Sequence, residues 1–309
     1  MTPTPASGRQ VVLGAGDLTA TVAEVGAALR GFTADGMPLI HTHADEDYAR
    51  FAEGQVLVPW PNRIAGGTYV HAGRREQLPV TEPETGHAVH GLARWAAWQI
   101  RAAGVDRAML ALELHPQAGY PFRLSLEVEY ALAPDGLLVT TTAQNTGSRA
   151  LPYGCGFHPY LTVGTPRIDE ARLSIPAATR VAVDDGGIPT GTRLAVAGSR
   201  WDLRGSEPIG SLELDTVFTD LERDGAGRAE VRLEAPDGRG VTLWMDAAHP
   251  YVMAFTGDPL PEADRRRSIA IEPMTCAPDA FNSGDGLQIL EPGESLVTRW
   301  GLAPLTVSG

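Results

Sequence analysis

Five short stretches, far apart along the chain, carry the side chains best suited to chemistry. "GFHPYL" (156–161) sets His158 among aromatic rings, ahead of a proline. "IAIEPMTCAPDAFN" (269–282) sets Glu272 directly after an apolar run. "VPWPNRIAGG" (58–67) holds Asn62 and Arg63, "HAVHGLARWAAW" (87–98) holds His87, His90 and Arg94, and "LELDTVFTD" (212–220) holds Asp215. A carboxylate and an imidazole together can take up and give back protons near neutral pH. Asn, Arg and Asp beside them can hydrogen-bond a hydroxylated ligand, and aromatic rings can cover its C–H faces.

Each of these residues also has a bland reading. Glu and Asp are almost never fully buried unless paired, so Glu272 alone reads as an edge-strand residue capping a loop amide. A lone histidine is more often structural than catalytic, and His71, His115 and His249 are read that way. What tips the balance toward a site is several such residues together, with His90 and His158 next to Gly91 and Pro159 in aromatic-rich loops.

The elements that must position these residues are strands. "LSLEVEY" alternates Leu124, Leu126, Val128 and Tyr130 with Ser125, Glu127 and Glu129, the period-two pattern of a half-buried strand. A Pro-Asp-Gly turn leads into a second strand, "LLVTTTAQN". The same grammar returns in "EVRLEAPDGRGVTLWMD". Further strands are expected in "QVVLGAG", "LTATVAEVG", "MLALELH", "ARLSIPA" and "SLVTRWGLA". Helical periodicity is nearly absent; "DYARFAEG" and "PDAFNSGDG" offer a turn each. The 35 glycines and 24 prolines are spread along the chain, as many turns require. No linker-like stretch divides it. The expectation is an all-β protein, one large antiparallel β-sandwich over residues 1–309, with site residues from distant strands meeting on one sheet face.

Composition excludes several classes. The formal net charge is -13 and the basic residues are all arginine. Without lysine there is no Schiff-base, pyridoxal or P-loop chemistry. The acidic balance argues against nucleic acid and anionic membranes as partners, because the only basic run is Arg265–Arg267. Two cysteines, Cys155 and Cys276, make no disulfide framework. With no apolar run of spanning length and no apolar signal core, a cytoplasmic protein is expected, as monomer or homodimer. A metal site would have to use "HTHADED", where His41 and His43 share one strand face with Asp45 or Glu46 nearby. His-x-His alone is a weak signal, and no metal is expected. The "GAG" at 14–16 precedes a strand pattern, so the dinucleotide fingerprint fails.

Taken in order, "NRI" (62–64), "HGLAR" (90–94), "HPY" (158–160), "LDTVF" (214–218) and "IEPMTCAPDAFN" (271–282) resemble the aldose 1-epimerase (galactose mutarotase) family over nearly the whole chain. The resemblance implies a galactose mutarotase-like supersandwich, no cofactor, and interconversion of the α and β anomers of a free sugar. It implies Glu272 as general base and His158 as general acid on the far side of the sugar, with Arg63, His90, Asp215 and Asn62 holding the substrate. Free Glu and His titrate near about 4.3 and 6.5, so a modest push from the surroundings would give ionised Glu272 with protonated His158 near neutrality. Met253 stands where many members carry glutamine, and the segment before Gly91 is short; both point away from galactose itself. The competing readings are a non-catalytic sugar-binding sandwich and an epimerase of a phosphorylated or sulfonated hexose, for which Arg63 and Arg94 are available.

Overall fold

The alternation in "LSLEVEY" becomes strand Leu124–Ala133, with Leu124, Leu126, Val128, Tyr130 and Leu132 buried. It pairs antiparallel with Gly136–Asn145 across the Pro134-Asp135 turn. These two strands belong to a nine-stranded sheet in which Gly136–Asn145 is followed by Ser295–Leu305, Gly240–Met245 and Ala229–Glu234. The computed structural model describes residues 4–44 and 46–305.

A second, eight-stranded sheet runs in the order Pro189–Ala195, Ala177–Val183, Asp215–Leu221, Tyr251–Phe255, Ile269–Met274, Gly156–Phe157 and Val56–Leu57, and Tyr160–Leu161 also pairs with Ile269–Met274. Leu126, Val139, Val231 and Leu243 from the first sheet share one hydrophobic cluster with Phe218, Val252, Ile269 and Ile271 from the second. Phe157 meets Trp300 across the layers at 5.0 Å between ring centroids. Sheet-on-sheet packing of this kind buries one face of each sheet and leaves the other free for function. A four-stranded antiparallel sheet (Gln10–Ala15, Leu18–Ala23, Leu29–Ala34, Met37–Pro38) joins the same core; the Tyr130 hydroxyl donates to the Ala27 carbonyl at 2.6 Å.

The strand expectations hold throughout. "PDAFNSGDG" forms one α-helical turn, Ala280–Ser283, whereas "DYARFAEG" is turns without helix. No helix among the described residues is long and apolar enough to cross a membrane.

Candidate functional site

The outer face of the eight-stranded sheet carries a row fixed by register. Val217 pairs with Met253, and Met253 with Glu272. On the other side of Ile269–Met274, Gly156 pairs with Met274 and Tyr160 with Ala270. Two residues inward from either pair, His158 falls opposite Glu272. The strand is broken at His158-Pro159, so His158 takes its backbone bonds from elsewhere: its N–H donates to Gln55 O (3.2 Å) and its carbonyl accepts from Gly54 N–H (2.9 Å). Glu272 therefore does not lie on an edge strand and caps no amide. It sits inside the sheet, 2 % exposed, and His158 Nε2 lies 3.3 Å from its Oε1.

Both charged forms are disfavoured there, because burial strips away water. Desolvation lowers His158 to about 3. Desolvation, reinforced by the charge of Asp215 and opposed by Arg63, raises Glu272 to about 8. The tendency is thus the inverse of the charge state read from sequence: burial favours a protonated carboxyl and a neutral imidazole. His158 Nδ1 and Glu272 Oε2 are buried without a hydrogen-bond partner. Buried polar atoms seldom stay unpaired, so these two stand out in a residue pair that lines the cavity. The spatial expectation also changes. His158 and Glu272, expected to face each other across a ligand, lie 3.3 Å apart.

His90 and Asn62 come from two loops that hold each other. Both have left-handed backbones (φ 61 and φ 55). His90 N–H donates to Asn62 O at 2.9 Å, and Asn62 N–H donates to His90 Nδ1 at 3.2 Å. With Nδ1 accepting, the neutral ring carries its proton on Nε2. Burial, then the nearby His158, holds His90 well below the ordinary histidine range, so it stays neutral and offers Nε2–H as a donor. Gly91 allows this approach: its φ is 74, and a Cβ there would lie 2.0 Å from Val58 O. The Asn62 side-chain oxygen accepts from Arg63 N–H at 2.9 Å, so half of its carboxamide is spent on the turn.

Arg63 is clamped by a residue that sequence reading passed over. Its Nε and Nη2 donate to Glu82 at 2.7 and 2.8 Å, a bidentate pair. That pairing raises Arg63 further and lowers Glu82 against its own burial. Asp279, in the helical turn's N-cap position, donates its N–H to Arg63 O (2.7 Å) and accepts from Ala65 N–H (2.9 Å), tying the C-terminal motif to the Arg63 strand. Nothing in local sequence marked Glu82 or Asp279 as partners of Arg63; the separations are 19 and 216 positions only in the chain, not in space.

Arg63, Asn62, His90, His158, Asp215 and Glu272 all line one cavity of about 440 Å³, with Met253, Phe255 and Tyr160 on its floor and Arg50, Arg94 and Glu82 on its walls. Asp215 opens its strand and is exposed to water, yet protein surrounds most of its carboxylate, as expected on the wall of a concavity; burial raises it and Arg63 opposes. Tyr160 stacks on His158 at 5.0 Å. Phe157 points away from His158 into the core against Trp300, because neighbouring strand residues face opposite ways.

Metal-capable atoms of His90, His158 and Glu272 lie within 4.8 Å of one another, a set that sequence reading placed at His41 and His43 instead. His43 Nδ1 lies 2.9 Å from Ala44 O. Asp45, the third member of that sequence cluster, lies outside the described residues. His90 Nδ1 is already an acceptor from Asn62, and His158 Nε2 and Glu272 Oε1 face each other, so a cation and a shared proton would compete for the same atoms.

Comparison with known proteins shows the fold and the family. The chain is 36% identical over 303 residues to the uncharacterized protein YihR of Escherichia coli K12, covering 93% of this chain and 91% of that one. It is 31% identical to human galactose mutarotase over 162 residues, 51% of this chain and 46% of that one. Among solved structures it is similar to a GalM/aldose epimerase homologue from C. elegans (TM-score 0.85, 19% identity, 97% and 99% of the two chains) and to galactose 1-epimerase from Lactobacillus acidophilus (TM-score 0.79, 20% identity, 93% and 91%). The family model for aldose 1-epimerase matches residues 9–301, and the chain belongs to that family.

Proposed function

We propose that the protein interconverts the α and β anomers of a free aldose, with Glu272 and His158 passing protons between the two oxygens of the anomeric carbon. The observation that carries this reading is the 3.3 Å contact between two buried, titratable groups that both line the cavity, with Glu272 Oε2 buried and unpaired. The anomeric hydroxyl oxygen and the ring oxygen are bonded to the same carbon. A touching pair can therefore serve both, which a pair on opposite sides of the sugar would do less well.

In the empty site the pair holds one proton, on Glu272. A sugar hydroxyl donating to Oε2 favours the carboxylate, and the proton passes along the Oε1–Nε2 contact to His158. Glu272 then takes the proton from the anomeric hydroxyl while His158 protonates the ring oxygen. The C1–O5 bond breaks, the open aldehyde turns about C1–C2, and the ring closes on its other face with the protons returned. Arg63, oriented by Glu82, and the Nε2–H of His90 donate to sugar oxygens, and Asp215 accepts from hydroxyls. Every proton transfer is served by the chain's own side chains.

Saturation-transfer NMR across a panel of aldoses and acidic sugars tests the reading. We expect acceleration with at least one of them, and turnover lowered by roughly 10²-fold or more in Glu272→Gln and His158→Asn at unchanged melting temperature. Tight sugar binding with no acceleration would instead make this a sugar-binding sandwich. One observation favours a charged variant of the substrate: Arg94, stacked on Trp95 at 4.4 Å, lines the cavity and forms no salt bridge with a carboxylate among the described residues. A phosphorylated or sulfonated hexose would supply one, so such sugars belong in the panel.

A further inference from the structure

The turn between strands Ala177–Val183 and Pro189–Ala195 reads Asp-Asp-Gly-Gly-Ile, residues 184–188. Asp184 closes it. Its Oδ1 accepts from the N–H groups of Gly186 and Ile188, each at 2.9 Å, and its carbonyl accepts from Gly187 N–H at 3.0 Å. A hairpin turn ordinarily projects into water. Here Asp184 and Asp185 are exposed, but Gly186, Gly187 and Ile188 are half-buried. The two glycines lie against residues of the cavity wall and its support. A Cβ on Gly187 would lie 2.6 Å from Arg63 Nη1, 3.2 Å from Cζ and 3.5 Å from Cδ, and a Cβ on Gly186 would lie 3.0 Å from His87 Nε2. The other ring nitrogen, His87 Nδ1, accepts from Gly66 N–H at 3.1 Å, so His87 bridges the turn and the residues that follow Arg63.

The clamp by Glu82 uses Nε and Nη2 of Arg63 and does not use Nη1. Arginine has many rotamers to lose, and a partner on one edge of the guanidinium leaves part of that freedom. A rigid backbone pressed along Nη1, Cζ and Cδ removes more of it. We infer that Gly187 is a positioning residue for anomer exchange: the hairpin turn holds Arg63 at the nitrogen that the Glu82 clamp leaves, and so aims its donors at the sugar. The inference rests on the proposed role of Arg63 as a donor to sugar oxygens. Position 187 excludes a side chain twice over, through its left-handed φ of 78 and through the absence of room for a Cβ. Gly191, on the same hairpin, separates these two causes. Its φ is 81, yet nothing lies within 4 Å of a Cβ placed there.

The test measures kcat and KM, with the aldose of the panel that is turned over best, in Gly187→Ala, Gly187→Asn, Gly191→Ala and Gly191→Asn. Asparagine accepts the left-handed region better than alanine, which keeps a folded variant in hand. We expect both Gly187 variants to raise KM about five- to tenfold, as displacing one charged donor predicts, with kcat changed by less than about twofold. Both Gly191 variants should leave KM unchanged. In an Arg63→Ala background, Gly187→Ala should add nothing, because the contact it disturbs is gone. A rise in KM shared by the Gly191 variants would assign the effect to hairpin strain and overturn the inference. An unmoved KM, a loss carried by kcat alone, or an additive effect in the Arg63→Ala background would overturn it as well. Guanidinium N–H NMR supplies a readout independent of turnover: the Arg63 Nε–H resonance, assigned by its loss in Arg63→Ala, should shift in the Gly187 variants and stay in place in the Gly191 variants. If no aldose is turned over, the anomer-exchange reading fails on its own, and this resonance decides whether the turn positions Arg63; an unmoved resonance overturns the inference.

Discussion

Changing the pH around the Glu272–His158 pair should separate a shared-proton mechanism from two independent groups. In the proposed mechanism the active state holds one proton between them. It is lost when a second proton binds, near the lowered value of about 3 for His158, and when the last proton leaves, near the raised value of about 8 for Glu272. Such limbs belong to the pair rather than to either residue. An unshifted Glu and His would instead confine the one-proton state to a narrow window between about 4.3 and 6.5. The contrast is largest on the alkaline side. At about pH 7.5, a limb at 8 leaves roughly three-quarters of the maximal kcat/KM, whereas a limb at 6.5 leaves roughly one-tenth. The assay is kcat/KM by polarimetry or saturation-transfer NMR from pH 5 to 9, with the spontaneous rate subtracted at each point. Glu272→Gln should remove the alkaline limb from whatever residual rate survives. A half-maximal point near 6.5 in the wild-type protein would refute the inverted charge state, and an alkaline limb preserved in Glu272→Gln would refute its assignment.

Other outcomes follow from the walls and floor of the cavity. Arg63→Ala should weaken sugar binding by about 1.5–3 kcal/mol, read as KM or by calorimetry; Glu82→Gln, which breaks the 2.7 and 2.8 Å clamp while leaving Arg63 in place, should raise KM by less and leave kcat nearly unchanged. A loss of kcat alone in Glu82→Gln would make the clamp part of the chemistry. Met253→Gln puts a hydrogen-bonding side chain beside Glu272 at a site that is 5 % exposed; we expect sugar preference to change order across the panel, and an unchanged order would show that Met253 does not touch the substrate. Activity should survive EDTA; complete loss restored by one divalent metal would show that His90, His158 and Glu272 hold a cation instead of a shared proton.

What could be read from the chain alone was whatever local pattern encodes. Period-two alternation marked Leu124–Ala133 and its partner strands because burial on one sheet face repeats every second residue. Glu272 stood out because a carboxylate inside "IAIEPM" violates that pattern. Which long-range neighbour each residue meets was not legible. His158 and Glu272 are 114 positions apart, and their contact depends on a register shared by Gly156–Met274 and Tyr160–Ala270 on either side of a strand break. Glu82 reads as one more exposed acid in "VTEPETG", and only the fold brings it to Arg63. The ordered motifs named six residues that the fold brings to one cavity; their partners and the direction of their pKa shifts required the packing.

The inverted charge state follows from the same packing that makes the pair possible. Placing Glu272 in an interior strand secures its position to within the precision of the sheet, but it also removes the water that would hold a carboxylate ionised. An isolated buried carboxylate would remain protonated and inert as a base. His158 alters that outcome, since the 3.3 Å contact offers the proton a second seat without bringing net charge into the cavity. Asp215 then has a double part. Its negative charge helps to raise Glu272, while Arg63 opposes that effect from across the cavity. A sugar hydroxyl that donates to Asp215 disperses part of its charge, and another that donates to Glu272 Oε2 stabilises the carboxylate directly. In the mechanism proposed for anomer exchange, both effects would move the proton toward His158 only with a polyhydroxyl ligand bound, so that the substrate's own hydroxyl groups would draw out the ion pair the chemistry needs.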